Sequence, residues 1–440
     1  MQQSTDKTLE QGVYCRESNW DIVVIGDGPS GLIIANQCAL SDFKVLVLSK
    51  DNGKKWTNNY CFWKSELDVV RPPKPMQNLF NECIEMVWNT AQVHLRNTTR
   101  VDIDAPFAKF DSLKLQQHLQ ELATESGIQL QTGEVTTIEQ LPSHSVVHTV
   151  NCTYTARVVI AANGSSSNLL QYSTFPKPGY QIAYGQVLDV SNFDIPWTLD
   201  TMSFMDFRFP TKHHKFFQSP PSFLYVLPLS TSQVFLEETI LATRESVDFE
   251  MLKERLQLRK ETFGLGDAPV LDQEFCRIEM GGSLPKTGRT LAFGASAGFT
   301  HPVTGFQILR SIYTAPRLVA TLKEHWSADT ETLCTEAWKA IWNDTERRNR
   351  KLYLLGLDMI VRFNLRETQN FFEAFFKSSP EARASFLSGF GSTQAVQSSM
   401  WETFKHADWT TRAKIVQHSS QHPTALFSAL FDQLSNLETS

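Results

Sequence analysis

The sequence predicts an α/β fold in which a dinucleotide-binding unit is interleaved with an antiparallel β region and followed by a helical C-terminal part. Three observations carry this. Residues 21–25 (DIVVI) form a β-branched run that leads into Gly26-Asp27-Gly28-Pro29-Ser30-Gly31, an apolar helix-like stretch and a second apolar run at 45–48. Residues 180–240 read as short alternating strands with Pro-rich breaks. Beyond about residue 322 the apolar pattern is helical to the end.

The elements follow in order. Residues 52–59 are loop-like, with turn signals at RPPKP (71–75), and 86–95 (MVWNTAQVHL) read as one strand. The stretch 113–126 is an amphipathic helix with Leu115, Leu119 and Leu122 on one face. Residues 156–162 (ARVVIAA) are a buried strand closing on Asn163-Gly164. Alternating strands come next: QIAYGQVLDV, TMSFMDFRF, SFLYVLPL and QVFLEETIL. A short strand at 291–293 feeds the turn GASAG, and 305–322 is helical. No internal repeat is visible.

Composition narrows the function. The 440 residues suggest two or three folding units, and the net charge of −6 gives no global pull towards nucleic acid. Thirty Phe, ten Trp and nine Tyr are a heavy aromatic load that hints at an apolar substrate. Seven cysteines without a CxxC pair argue against a disulfide framework and a zinc site, so no metal is expected and the compartment reads as reducing. No apolar run approaches the ~18 residues of a membrane span. The first 20 residues lack a signal-peptide core and are too acidic for a transit peptide, so the chain reads as a protein that is not secreted.

The glycine motif has a mechanical logic. Gly26 permits the tight turn, Gly28 lets backbone approach a pyrophosphate, and Gly31 lets helix pack on strand, with Ser30 inside the loop. The acidic residue expected after the second strand, to bind ribose hydroxyls, is Ser49 here; Asp51 is the substitute candidate, or else a solvated loop carboxylate. The late segment 288–306 (GRTLAFGASAGFTHPVTGF) resembles the second cofactor-contacting segment of glutathione-reductase-like flavoproteins. That resemblance implies a glutathione-reductase-like FAD-binding Rossmann fold, with Gly164, Gly294, Gly298, Pro302 and Gly305 joining the first loop around FAD. Gly294-Ala295 stands where flavin hydroxylases carry Gly-Asp. The expected organisation is a disordered tail (1–19), FAD-binding segments at 20–57, 106–170 and 284–322, substrate-domain segments at 58–105 and 171–283, and a helical C-terminal region (323–440).

Four further stretches resemble the lycopene cyclases of the cyanobacterial and plant type: Asn58-Asn59-Tyr60 with Trp63 and Glu66, FMDFR (204–208) with SFLYVLPLS (222–230), FLEET (235–239), and Gly298 to Phe306 around His301-Pro302 and Thr304-Gly305. The resemblance spans roughly residues 20–430. Cys61, Lys64-Ser65, Val303 and AANG (161–164) depart from the family pattern, while Glu66 keeps to it. The implied activity is acid–base cyclisation of lycopene ends to β-rings with no net redox change. The implied cofactors are FAD, active in its reduced form, and NAD(P)H as reductant. The implied setting is the cytoplasm or a thylakoid or plasma membrane to which the protein is bound peripherally. The ε-cyclases, an isoprenoid or carotenoid oxidoreductase of the same superfamily, and a carotenoid-binding module that lost activity are the rival readings.

The implied reaction needs an acid able to protonate an alkene, negative charge or π-faces near a cation, and a base. Glu237 and Glu238 are adjacent in an apolar strand and so point to opposite faces; the family pattern makes Glu237 the acid and Glu238 its partner or relay. His301 is a flavin contact, the final proton acceptor, or a structural histidine fixing its turn. Tyr60, Trp63, Glu66, Phe299 and Phe306 are candidates for substrate contact or cation stabilisation, with core packing as the plain reading for any single aromatic. Asp206 and Arg208 suit a structural ion pair. Leu352, Leu355, Met359 and Phe363 recur at helical spacing as interhelical core, whereas Phe371, Phe372, Phe375 and Phe376, near Lys351, Arg362, Arg366 and Lys377, are expected to form the tunnel mouth or a membrane-docking face.

Overall fold

The computed structural model describes residues 19–96, 99–209 and 220–419. All but the last residue of the expected tail therefore lies outside the described residues, and Asn19 already belongs to the first strand.

The sequence-predicted opening forms the first sheet. β1 (Asn19–Ile25) pairs in parallel with β2 (Val45–Ser49) and with β11 (Thr153–Ala161). β8 (Gln129–Thr132) adds beyond β2, and β17 (Thr290–Ala292) pairs in parallel with β11. β9 (Val135–Gln140) and β10 (Ser145–Thr149) complete it as an antiparallel flank. Alternation partitions the strands cleanly. Ile22, Val24, Val45, Val47, Val158 and Ile160 join the core shared with α1 (Pro29–Ala39), α4 (Ser112–Glu125), α6 (Ile308–Glu324) and α7 (Thr330–Ile341). Val23, Ile25, Leu46, Leu48 and Val159 face the opposite side, where Val135, Val147 and Tyr154 cover them. The fold class expected from the sequence is the one observed.

The second sheet runs β16 (Val270–Gly281), β12 (Pro178–Asp189), β15 (Gln233–Thr243), β14 (Phe223–Pro228), β13 (Thr201–Asp206), β5 (Thr90–Arg96), β6 (Thr99–Ile103). It is antiparallel except where β13 meets β5. A small third sheet joins β3 (Cys61–Trp63), β7 (Phe107–Phe110) and β4 (Ile84–Trp88). Helices α2 (Lys64–Val70) and α3 (Lys74–Glu82) follow β3. Helix α5 (Phe249–Thr262) covers one face of the second sheet. On the other face α8 (Asp344–Ile360) and α9 (Leu365–Phe376) approach β15 and β5, backed by α10 (Pro380–Leu387), α11 (Thr393–His406) and α12 (Trp409–Ser419).

Four expectations need correction. Residues 86–95 are two strands in different sheets, because the Asn89 backbone N–H turns aside to the Asp200 carbonyl at 2.9 Å. The helix expected from residue 305 begins at Ile308, since Gly305, at φ +77°, is still closing a turn whose N–H bonds the His301 carbonyl. Cys152 is disulfide-bonded, a pairing that scattered single cysteines do not signal, while Cys38, Cys61, Cys83, Cys276 and Cys334 are free. Phe371, Phe372, Phe375 and Phe376 form no docking face: they are 3–8% exposed, and Phe372 stacks on Phe207 and Phe376 while lining an interior cavity, as the tunnel-mouth alternative expects. The amphipathic α9 turns that face to the sheet, because burying aromatic area there outweighs exposing it. Leu352, Leu355, Met359 and Phe363 are interhelical core as expected. Replacing a buried Phe by Ala leaves a cavity costing about 3–5 kcal/mol. Phe376→Ala is therefore expected to lower unfolding stability by that order in denaturant titration, where an exposed docking residue would leave it within ~0.5 kcal/mol.

Candidate active site

The glycine loop is shaped by close approaches. Gly26 has φ +108°, and its N–H bonds the Leu48 carbonyl at 2.7 Å. A Cβ on Gly31 would stand 2.0 Å from the Gly26 carbonyl oxygen, so helix and loop meet only through glycine. Gly28 caps α1 with Pro29 at its first position, no side-chain cap and no acid in the first turn. The first N–H groups of α1 are thus left without a side-chain cap. Around Gly28 and Gly164 nothing lies within 4 Å of where a Cβ would sit. Ser30 ties α1 to α6 through Ser311 and Gln307, both at 2.8 Å, and Gly294 approaches Ser30 so closely that a Cβ would stand 2.4 Å away. These residues fit the phosphate-bearing part of a dinucleotide. Gly298 and Pro302 lie farther along the late turn, near Arg350 and in a smaller neighbouring cavity. Asp51 is exposed in the turn after β2. Asp27 instead takes the Ser49 hydroxyl at 2.5 Å and the Gly53 N–H at 3.1 Å, anchoring the end of β2 to the glycine loop.

From this loop a cavity of about 390 Å³ extends along the second sheet. Pro29, Ser30, Gly164, Ala295 and Gly305 form one end. The opposite wall is the inner face of four strands, and one transverse row decides its character. Gly185 on β12 is paired with Glu237 on β15 and with Glu274 on β16, and Glu237 is paired in turn with Tyr225 on β14. Directly paired residues of antiparallel strands share a face. Glu274, Glu237 and Tyr225 therefore project together into a space flanked by Tyr60, Phe204, Phe223, Phe235 and Phe306.

Electrostatics separate the two carboxyls. Burial, then the nearby Glu274 charge, push the Glu237 pKa up to about 8, against one Thr239 hydroxyl donating at 2.7 Å. Glu237 is thus largely protonated at neutral pH. Glu274 is raised by burial too, but the Asn59 backbone N–H (3.2 Å) and side-chain amide both donate to it, and Lys109 adds positive charge; all three favour the ionised form.

Glu238 does not enter the cavity. Alternation turns it to the opposite face, where it is fully buried, accepts from the Ser222 hydroxyl at 2.6 Å and pairs with Arg259 of α5. His301 is also set apart. Its Nδ1 accepts the Val303 and Thr304 N–H groups at 3.3 and 3.2 Å, its ring packs on Tyr353, and burial with Arg310 nearby lowers its pKa to about 3. A neutral ring with its lone pair engaged fixes the turn and is a poor proton acceptor. Glu66 and Phe299 line the smaller cavity with His301, and burial holds the Glu66 carboxyl well above the usual range. Trp63 is buried behind Phe204 and Phe107. Tyr60 and Phe306 do reach the main cavity. Asp206 and Arg208 form the expected ion pair. Glu274, Tyr225 and Asn59 are site residues that sequence reasoning passed over; the alternation of Glu274 and Cys276 in 270–281 was the available signal. Among the described residues no cluster suited to a metal occurs.

Comparison with known proteins decides the family. A profile described as lycopene cyclase protein matches residues 21–413. The chain belongs to the lycopene cyclase family. It is 29% identical over 411 residues to the chloroplastic lycopene beta cyclase of Arabidopsis thaliana, covering 90% of this chain and 80% of that one. It is 31% identical over 363 residues to the chloroplastic lycopene beta cyclase of an Oncidium hybrid cultivar, covering 81% and 75%. It is also 28% identical to the capsanthin/capsorubin synthase of Capsicum annuum, covering 91% and 80%. In fold, this family member resembles a geranylgeranyl bacteriochlorophyll reductase-like protein from Thermoplasma acidophilum, with a TM-score of 0.67, 15% identity, and coverage of 92% and 99%.

The Glu237 environment has a thermodynamic consequence. Its pKa is raised from 4.5 to about 8, so between those values the folded state holds a proton that the unfolded state has lost. Stability is fully present below pH 4.5 and falls as pH rises towards 8. Glu237→Gln removes that loss: its melting temperature is expected to match wild type near pH 4.5 and to exceed it by several degrees at pH 8, as measured by calorimetry.

Proposed function

We propose that this protein converts the linear ends of lycopene into β-rings by acid–base catalysis, with Glu237 as the acid. The observation that carries this reading is a carboxyl whose pKa burial pushes up to about 8, set in an aromatic-lined cavity that reaches the glycine loop. Glu237 delivers its proton to the terminal double bond. The neighbouring double bond closes the ring, and the ring cation loses a proton. Mass and oxidation state are unchanged. Tyr60, Tyr225, Phe204 and Phe306 offer π-faces to the cation, worth about 0.5–2 kcal/mol each.

The loop at Gly26–Gly31, with Gly164, Gly294 and Gly305, would hold FAD. In its reduced, anionic form FAD would supply negative charge to the cation without consuming electrons, and NAD(P)H would serve to reduce it. No helix among the described residues is long and apolar enough to cross a membrane. A C40 polyene is stored in bilayers, so the reading includes peripheral docking and extraction of substrate.

Two measurements test this. Expressed in a lycopene-accumulating bacterium, the protein is expected to yield cyclic carotene of the same mass as lycopene; Glu237→Gln lowers the yield at least a hundredfold with flavin content retained. Undiminished yield from that variant removes Glu237 from the acid role. In anaerobic assays with purified protein, one initial reduction is expected to support many ring closures. Oxidation of one NADPH per ring would favour an oxidoreductase instead.

A further inference from the structure

We propose that Glu274 is the second catalytic carboxylate of this site: the base that takes the proton from the ring cation and thereby fixes where the ring double bond forms. This rests on the cyclase reading and deepens it. A non-redox isomerisation returns as many protons as it borrows, so the acid needs a counterpart, and His301, with its lone pair engaged by two backbone N–H groups in a neighbouring cavity, is not placed to be one.

The geometry points to Glu274. It shares the transverse row with Glu237, and both oppose Gly185. Two ladder steps separate their backbones by roughly 10 Å. Because Gly185 has no side chain, only the Phe235 ring lies across the floor between them; a Cβ there would stand 2.4 Å from that ring. The two carboxyls thus face a common space across an apolar floor, so that one substrate end group lying between them meets an acid on one side and a base on the other. Asn59 holds Glu274 with two N–H donors, and the adjacent Asn58 is exposed at the cavity edge, so a proton collected by Glu274 has a short way to water. The third carboxylate lining the cavity, Glu279, lies five residues along β16, roughly 17 Å away, and is taken by Ser166.

The step balances. The Glu237 O–H bond breaks as a C–H bond forms at the terminal double bond. The next double bond supplies the pair for the ring-closing C–C bond. The C–H bond beside the resulting cation breaks, its electrons become the ring double bond, and its proton forms an O–H bond on Glu274. Solvent then removes that proton and restores one to Glu237, with no net uptake.

The test compares wild type with Glu274→Gln in heavy water, reading ring type by chromatography and deuterium by mass spectrometry. Glu274→Gln is expected to slow ring formation at least tenfold and to divert what forms from β-rings to rings with a displaced double bond or an added hydroxyl. One deuterium from the protonation step is still incorporated per ring. Unchanged rate and unchanged β-ring product overturn the assignment. Should that variant fail to fold or to hold flavin, Asn59→Ala decides. The groups facing Glu274 are Lys109, Tyr60, Cys61, Tyr225, Glu237, Cys276 and Asp272, and none of them changes in that variant. Losing one donor raises the Glu274 pKa, so the low-pH limb of the rate profile moves up by at least half a unit, and an unmoved limb overturns the role. Wild type that closes no ring overturns the cyclase reading itself, whereas wild type that makes β-rings beside an unaltered Glu274→Gln overturns the base alone.

Discussion

The site depends on keeping the Glu237 carboxyl dry. A carboxylic acid in water is ionised at neutral pH and has no proton to give. Burial in a wall of Phe, Tyr and Leu side chains reverses that by penalising the charged form. In the proposed cyclisation the same burial would make the carboxylate left after proton transfer attractive to a cation beside it, because a weak dielectric magnifies their attraction. The carboxyl is unfavourable when ionised alone and favourable when ionised opposite a carbocation, which is the differential stabilisation catalysis requires.

Maintaining that environment is the task of the other face of the sheet. Glu238, one residue on, is fully buried, but it is matched by Arg259 and Ser222, and Arg255 donates to the same serine at 2.7 Å. A buried ion pair contributes little net stability, yet breaking one is costly, so such pairs favour one arrangement over its alternatives. A one-residue slip of β15 would turn Glu238 away from Arg259 and into the cavity, and Glu237 towards α5. The Glu238–Arg259 pair therefore guards the register that aims Glu237.

This explains what was legible in the sequence. The glycine loop and its flanking strands were legible because β-branched runs and a turn that excludes every side chain are local signals. The opposite facing of Glu237 and Glu238 followed from strand alternation alone. What each glutamate meets was not legible: Arg259 is 21 residues away on a helix that carries little apolar periodicity, and the sequence reading assigned no element there. Glu274 escaped because β16 is an edge strand with its outer face in water, so its pattern is mostly polar. The Phe cluster of α9 misled because an amphipathic stripe looks the same against a sheet as against a membrane.

The fold alone does not select the chemistry. Proteins 11–15% identical to this chain, a flavin-dependent brominase and a reductase-like protein among them, share the architecture at TM-scores of 0.57 to 0.67. In this chain one row of the second sheet gives the cavity its chemical character. Gly185 is the economical element in it. Any side chain at that position would have to displace the Phe235 ring, whose nearest carbon lies 2.4 Å from where a Cβ would sit. A glycine in a strand interior weakens the strand and commonly marks a close approach. Here the weakness falls on the central strand of the row, where the Phe235 ring takes the place of a side chain between the two carboxyls, and it is offset by the long ladders β12 makes with β15 and β16. In the proposed reaction the strand would give up local stability at one residue so that an acid on one neighbour and a carboxylate on the other reach the same substrate.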